Sequence, residues 1–129
     1  MADVNRGNRP LSPFMFVKYY RLQMTALSSV MVRITGNALI AAAFLSVWWL
    51  IAAAAGPEYY EFVNGLITCW LGDIIMFLSV WALWYHLGGG LRHLIWDAGY
   101  CLDVDISEKM GWAMFIGATV LTIFTALVV

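Results

Sequence analysis

Residues 31–55 read MVRITGNALIAAAFLSVWWLIAAAA, a run whose one charged side chain, Arg33, stands near its start and is followed by 22 residues carrying none. About 20 apolar residues cross the ~30 Å hydrocarbon core of a bilayer, so this segment is long enough to span. A signal peptide would place about 7–15 apolar residues close to the N-terminus; this run is longer and starts later, so Ala52–Ala55 are not read as a cleavage site. Outward from it, Gly56 and Pro57 end the run, and Glu58 and Glu61 mark water. A second run extends from about Leu66 to Leu91, interrupted only by Asp73 and His86, and a third from about Met110 to Val129 has no charge at all. The whole chain agrees, being 63% hydrophobic and 12% charged, where soluble domains are roughly half apolar and a quarter charged. The expected fold class is therefore an all-α membrane protein with three transmembrane helices, at about 24–55, 64–92 and 108–129, behind an N-terminal tail over 1–21.

At 129 residues, three spans fill the chain as a single domain and exclude a large soluble catalytic domain. A net charge of −1 without a dense basic patch excludes a nucleic-acid partner. Cys69 falls in an apolar run and Cys101 in a polar loop, so no disulfide framework is indicated. Pro10 and Pro13 keep the tail from forming an early helix, and helix is expected to begin near Leu22 to Thr25. All seven Lys and Arg (Arg6, Arg9, Lys18, Arg21, Arg33, Arg92 and Lys109) fall on one side of the three spans. The positive-inside rule then puts the N-terminus and the 92–109 loop inside and the C-terminus outside. No internal repeat is visible, and three spans do not divide into the inverted halves of a secondary transporter. Three helices also expose more apolar surface than they bury among themselves, which points to a subunit of a larger membrane assembly.

Ionisable groups inside a bilayer are costly and mark functional sites. His86 lies about four residues from the inner end of the second span, ~6–8 Å below that surface. A neutral imidazole there either hydrogen-bonds a neighbouring helix or gives a nitrogen lone pair to a metal such as haem iron. Gly88, Gly89 and Gly90 follow it, each weakening a helix by about 1 kcal/mol; the space they open suits close helix packing or the flat face of a porphyrin. Arg92, His93 and Asp97 come next. His93, seven residues on, shares the face of His86, and Asp97 is placed one turn further to orient it. Arg92 and His93 are either interfacial anchors or partners for carboxylates such as haem propionates. On the first span Ser29 and Arg33 stand four apart on one face, a hydroxyl and a fixed charge able to serve a polar head group; Arg33 alone is also a plausible snorkelling anchor. Asp73 is read as interfacial. Aromatic residues such as Trp48, Trp49, Tyr59, Tyr60 and Tyr100 are expected mostly as belt anchors, and the methionines as core filler.

Arg9-Pro10-Leu11-Ser12-Pro13, then Ser29-Val30-Met31-Val32-Arg33-Ile34-Thr35-Gly36, then His86-x3-Gly90-x-Arg92-His93-x3-Asp97 resemble the cytochrome b membrane-anchor subunit of succinate dehydrogenase, respiratory complex II. The likeness covers all three spans in order, and the second-span signature is its specific part. It implies a subunit without an active site of its own, in a helical bundle completed by a second membrane-anchor subunit, which holds a flavoprotein and an iron–sulfur subunit on the membrane and forms part of a ubiquinone site. It also implies that His86 is one axial ligand of a haem b, the other coming from the partner anchor. In the same way Ser29 and Arg33 fall on the family's quinone-site residues, and Asp97 on the aspartate at the site entrance. The setting implied is a bacterial inner membrane or the mitochondrial inner membrane. Two positions depart from the family pattern: Val32 stands where a propionate-binding histidine is usual, leaving Arg33, Arg92 and His93 to carry that contact, and Phe14 stands where another histidine is frequent. A cofactor-free membrane scaffold and the anchor of a fumarate reductase are the competing readings.

Overall fold

The computed structural model describes residues 22–129; the tail over 1–21, with its prolines and four of the seven basic residues, lies outside the described residues. Four helices follow one another: α1 (Met24–Ala55), α2 (Pro57–Ile67), α3 (Trp70–Asp97) and α4 (Val104–Val128). Of these α1, α3 and α4 are long and apolar enough to cross a membrane, as expected. At ~1.5 Å per residue even the shortest is roughly 37 Å long, so each reaches beyond the hydrocarbon core into the head-group layer.

The differences from expectation sit at the junctions. Residues 57–67 form a helix of their own instead of a loop running into the second span. Pro57 occupies its first turn, where a missing N–H costs nothing, and Glu58 faces the positive end of the helix dipole. Gly56, at φ +141, turns the chain between α1 and α2 in a backbone conformation that other residues adopt with difficulty. A second break falls at Thr68–Cys69, and α3 starts at Trp70 with the Cys69 sulfur accepting the Gly72 N–H at 3.4 Å. The bend brings the Ile67 carbonyl against Gly72, where any Cβ would collide with it. At the other junction α3 continues to Asp97 and α4 begins already at Val104. Charged residues are tolerated in helix ends that stand in the head-group layer, so the helices outlast the apolar runs that identified them.

α3 is the central element, packed against α1 on one side and α4 on the other. The inward face of α4 runs along Gly111, Met114, Ala118 and Thr122, small or slender residues at helical spacing that let backbones approach, with Gly111 set against Met24 and Ser28 of α1. Tyr85 is fully buried there, stacked on Trp81 at 5.1 Å and tilted against Phe115 at 4.7 Å. Two tryptophans of α3 also reach across: Trp81 and Trp84 donate their indole N–H groups to Thr119 and Thr125, each at 3.1 Å. These two are interhelical ties, a use of tryptophan that the belt reading did not foresee. Trp48 and Trp49 stand nearer the expectation, at the end of α1, where they donate to Tyr59 and Asn64 of α2. Met114 fills the core as expected. Around this narrow core large apolar side chains such as Phe44, Leu50, Leu83, Leu94 and Val120 are exposed, a surface suited to lipid and to other membrane subunits and not to water.

Candidate functional site

Where the start of α1, the end of α3 and the start of α4 converge, a pocket of about 360 Å³ opens among Thr25, Ser28, Ser29, Val32, Gly89, Arg92, His93, Trp96, Ser107 and Met114. The other end of the bundle has a cavity of about 380 Å³ between α1, α2 and α3, but no ionisable side chain lines it. The first pocket joins a guanidinium, an imidazole and hydroxyls in one place, and it lies at the end where the basic residues of the described chain gather.

Arg92 is the unexpected feature. It is only 6% exposed, so it is a buried residue of the bundle and not the interfacial anchor that its position near a span end allowed. Its Nη1 donates to Ser28 Oγ at 2.7 Å and lies 3.8 Å from the Met114 sulfur, while the guanidinium carbon sits 4.0 Å over the Trp96 ring. The Ser28 hydroxyl in turn donates to the Thr25 carbonyl at 3.0 Å. A guanidinium does not shed its charge, and here a hydroxyl, a sulfur and an indole face receive it. Its Nε is buried with no partner among the described residues. An unsatisfied buried donor costs about 1–3 kcal/mol, and with the guanidinium charge it gives this end of the bundle a positive character.

His86 lies on the same stretch of α3, half-buried, with Nδ1 3.1 Å from the Val32 carbonyl oxygen of α1. A carbonyl only accepts, so Nδ1 carries the hydrogen and Nε2 keeps its lone pair. Among the described residues no three His, Cys, Asp or Glu side chains come together; a metal held at His86 takes its other ligands from a prosthetic group or another chain. The three glycines after it divide their work. Gly89 faces Val32, whose Cγ2 would stand 2.6 Å from any Cβ added there, and Gly88 faces Met114, so these two serve close packing. Gly90, four residues after His86 and so on its face, has nothing within 4 Å. Gly88 and Gly89 thus close the bundle, and Gly90 borders open space.

Ser29 is exposed and lines the pocket; Arg33 is exposed and does not line it. Asn37, one further turn along, donates its amide to the Arg33 carbonyl at 3.0 Å. Ser29, Arg33 and Asn37 thus form an outward-facing polar stripe on an otherwise apolar helix. His93 is exposed and lines the pocket with its ring edge-on to Trp96 at 5.3 Å. Its neighbour is Trp96 and not Asp97, which stands exposed at the end of α3; the structure gives no orienting contact between the two. Ser28, Trp96, Gly36 and the Val32 carbonyl were not singled out from the sequence. Trp96 carried a usable signal, since it stands four residues after Arg92, the spacing at which a cation meets a ring on one helix face. Ser28 carried none, because its partner is 64 residues away.

The sequence profile of a family described as the succinate dehydrogenase/fumarate reductase transmembrane subunit matches residues 5–125. The succinate dehydrogenase cytochrome b556 subunit of Paracoccus denitrificans is 50% identical over 128 residues, covering 99% of this chain and 97% of that one. The cytochrome b556 subunit of Rickettsia conorii is 34% identical over 117 residues, 91% and 90% of the two chains. The cytochrome b560 subunit of Reclinomonas americana is 32% identical over 112 residues, 83% and 76% of the two chains.

Proposed function

The chain belongs to the succinate dehydrogenase/fumarate reductase transmembrane subunit family, and from that premise we propose that it is the haem b anchor of a succinate:quinone oxidoreductase. In this reading it has no active site of its own. It holds the flavoprotein and iron–sulfur subunits on the membrane, pairs with a second membrane-anchor subunit and contributes to the site where ubiquinone is reduced. The observation that carries the proposal is His86, whose Nδ1–H is committed to the Val32 carbonyl while Nε2 is left to donate, beside a pocket with an unsatisfied buried guanidinium. The names of the relatives specify cytochromes b.

The donor set fits a haem: one imidazole lone pair for the iron, a Cβ-free surface at Gly90, and a buried cation for a carboxylate. When bound, the haem supplies a one-electron carrier near the quinone. His86 would supply one ligand to the iron, and the partner anchor subunit another. Arg92 and His93 are assigned to the propionates, which offsets the presence of Val32 where the family pattern has histidine. Ser29 and Arg33 are assigned to the quinone head, since Ser29 offers a hydroxyl on the pocket lining and Arg33 a fixed charge one turn along the same exposed stripe of α1, and donors of this kind strengthen as negative charge develops on a carbonyl oxygen. Asp97, at the mouth, is assigned to the entrance. Purifying the complex through a tag on this chain tests the whole reading. The expected result is copurification of a flavoprotein, an iron–sulfur protein and a second small membrane protein, with a b-type reduced-minus-oxidised spectrum. A colourless preparation would instead fit the cofactor-free scaffold.

The membrane is assigned as the bacterial inner or mitochondrial inner membrane, with the N-terminus and the 98–103 loop inside and the C-terminus outside. Seven Lys and Arg on one side against none on the other support this. A reporter active only on the outer side is expected to work when fused after Val129 and to be silent when fused before Met1; the reverse pattern overturns the orientation.

A further inference from the structure

We propose that Gly36 and the main-chain carbonyl of Val32 form the seat that sets the tautomer and ring plane of His86, a positioning role that rests on the reading of His86 as a haem ligand. The ring leaves α3 and meets α1 at a carbonyl inside a continuous helix, with Nδ1 3.1 Å from the Val32 oxygen. The buried Thr35 hydroxyl also donates to that oxygen, at 3.0 Å, and to the Met31 carbonyl at 2.8 Å. A side chain standing over a helical carbonyl crowds any bond that another element brings to it. Cβ atoms on a helix tilt toward its N-terminus, so the residue over the carbonyl of 32 is residue 36. Here that residue is glycine. A Cβ at 36 would stand 2.9 Å from His86 Cε1 and 3.3 Å from Nδ1, so the imidazole occupies the volume the missing side chain vacates. With alanine at 36, the ring has to rotate or withdraw, which lengthens or bends its bond to Val32.

Two properties of the ligand follow. The proton is fixed on Nδ1, so Nε2 faces its metal with a lone pair and without tautomeric exchange. A hydrogen bond from Nδ1 also raises the basicity of Nε2, which favours the ferric over the ferrous state and lowers the midpoint potential. Gly36 touches no substrate; it acts through the histidine.

The test uses the assembled complex with Gly36→Ala, with Gly65→Ala as control because nothing lies within 4 Å of Gly65. Gly36→Ala is expected to shift the largest g-value of the low-spin ferric haem, which reports the relative planes of the axial imidazoles, and to raise the midpoint potential; haem loss from a complex whose subunits still copurify also supports the proposal. Gly65→Ala is expected to change neither. Unchanged g-values, potential and haem content in Gly36→Ala overturn it. Should that variant not assemble, the wild-type complex decides. Its redox-difference infrared spectrum with isotope-labelled histidine should show an imidazole C–N stretch displaced by a strong Nδ1–H bond, and a band at the free Nδ1–H position overturns the seat. His86→Leu separates the two levels. If it keeps the haem spectrum, the ligand reading falls and the seat with it; if it loses the spectrum while Gly36→Ala changes nothing, only the seat falls.

Discussion

In the assembled complex, His86→Leu is expected to abolish the low-spin b-type spectrum, whereas His93→Leu leaves the iron ligated. These are the only two histidines in the chain, so the pair divides the possibilities cleanly. His86 is half-buried and fixed by a bond from Nδ1 to α1, which leaves Nε2 as the lone-pair donor. His93 is exposed, lies two turns nearer the end of α3, and packs its ring edge against Trp96. Leucine at 86 removes the donor without adding charge, and it stands in the space that the imidazole fills beside Gly36. Loss of one of two strong-field ligands converts low-spin iron to high-spin or releases the haem, an effect of essentially the whole signal and not a fraction of it. His93→Leu is expected to shift the potential at most, by weakening a propionate contact. An intact low-spin spectrum in His86→Leu would move the ligand elsewhere in the assembly.

The three spans were legible because a bilayer imposes a length and a polarity on any helix that crosses it, and both are written in residues 31–55, 66–91 and 110–129. Their ends were less legible. Pro57 and Glu58 read as a break and as water, yet both are favourable in the first turn of a helix, and α2 starts there. The site divides in the same way. His86, Arg92, His93, Ser29 and Arg33 stood out as polar side chains on apolar helices, which is a property of single positions. That Arg92 turns inward to Ser28, that Val32 matters through its carbonyl and Gly36 through the side chain it lacks, are properties of how α1 meets α3. Helical spacing places residues on a face of one helix; it does not say which face of the next helix they meet. The Ser29 and Arg33 pair shows the limit well, since the same four-residue spacing that joined them left Ser28, on the buried side, unremarked.

Arg33→Leu is expected to leave succinate oxidation by a soluble dye within about twofold of wild type and to lower quinone reduction by about 10–100-fold. The size follows from the bond at stake: a hydrogen bond from a charged donor contributes about 1.5–3 kcal/mol, and each ~1.4 kcal/mol is tenfold in rate. Specificity for the quinone step follows from where Arg33 stands. Its side chain is exposed on the stripe it shares with Ser29 and Asn37, and only its backbone carbonyl is held, by Asn37, so leucine disturbs no packing between α1, α3 and α4. Arg92 makes the instructive contrast. Its removal would strip Ser28 of its partner and open the space between Trp96 and Met114, so a loss of activity there would not separate chemistry from assembly. If Arg33 were only an interfacial anchor, six other Lys and Arg would hold the same side of the chain at the membrane and quinone turnover would stay near normal, the outcome that refutes its place in the site. Equal loss of dye and quinone activity would instead trace the defect to assembly. The dye draws electrons from the hydrophilic subunits before they enter the membrane, so its rate measures everything upstream of this chain. The difference between the two rates measures what Arg33 does at the quinone.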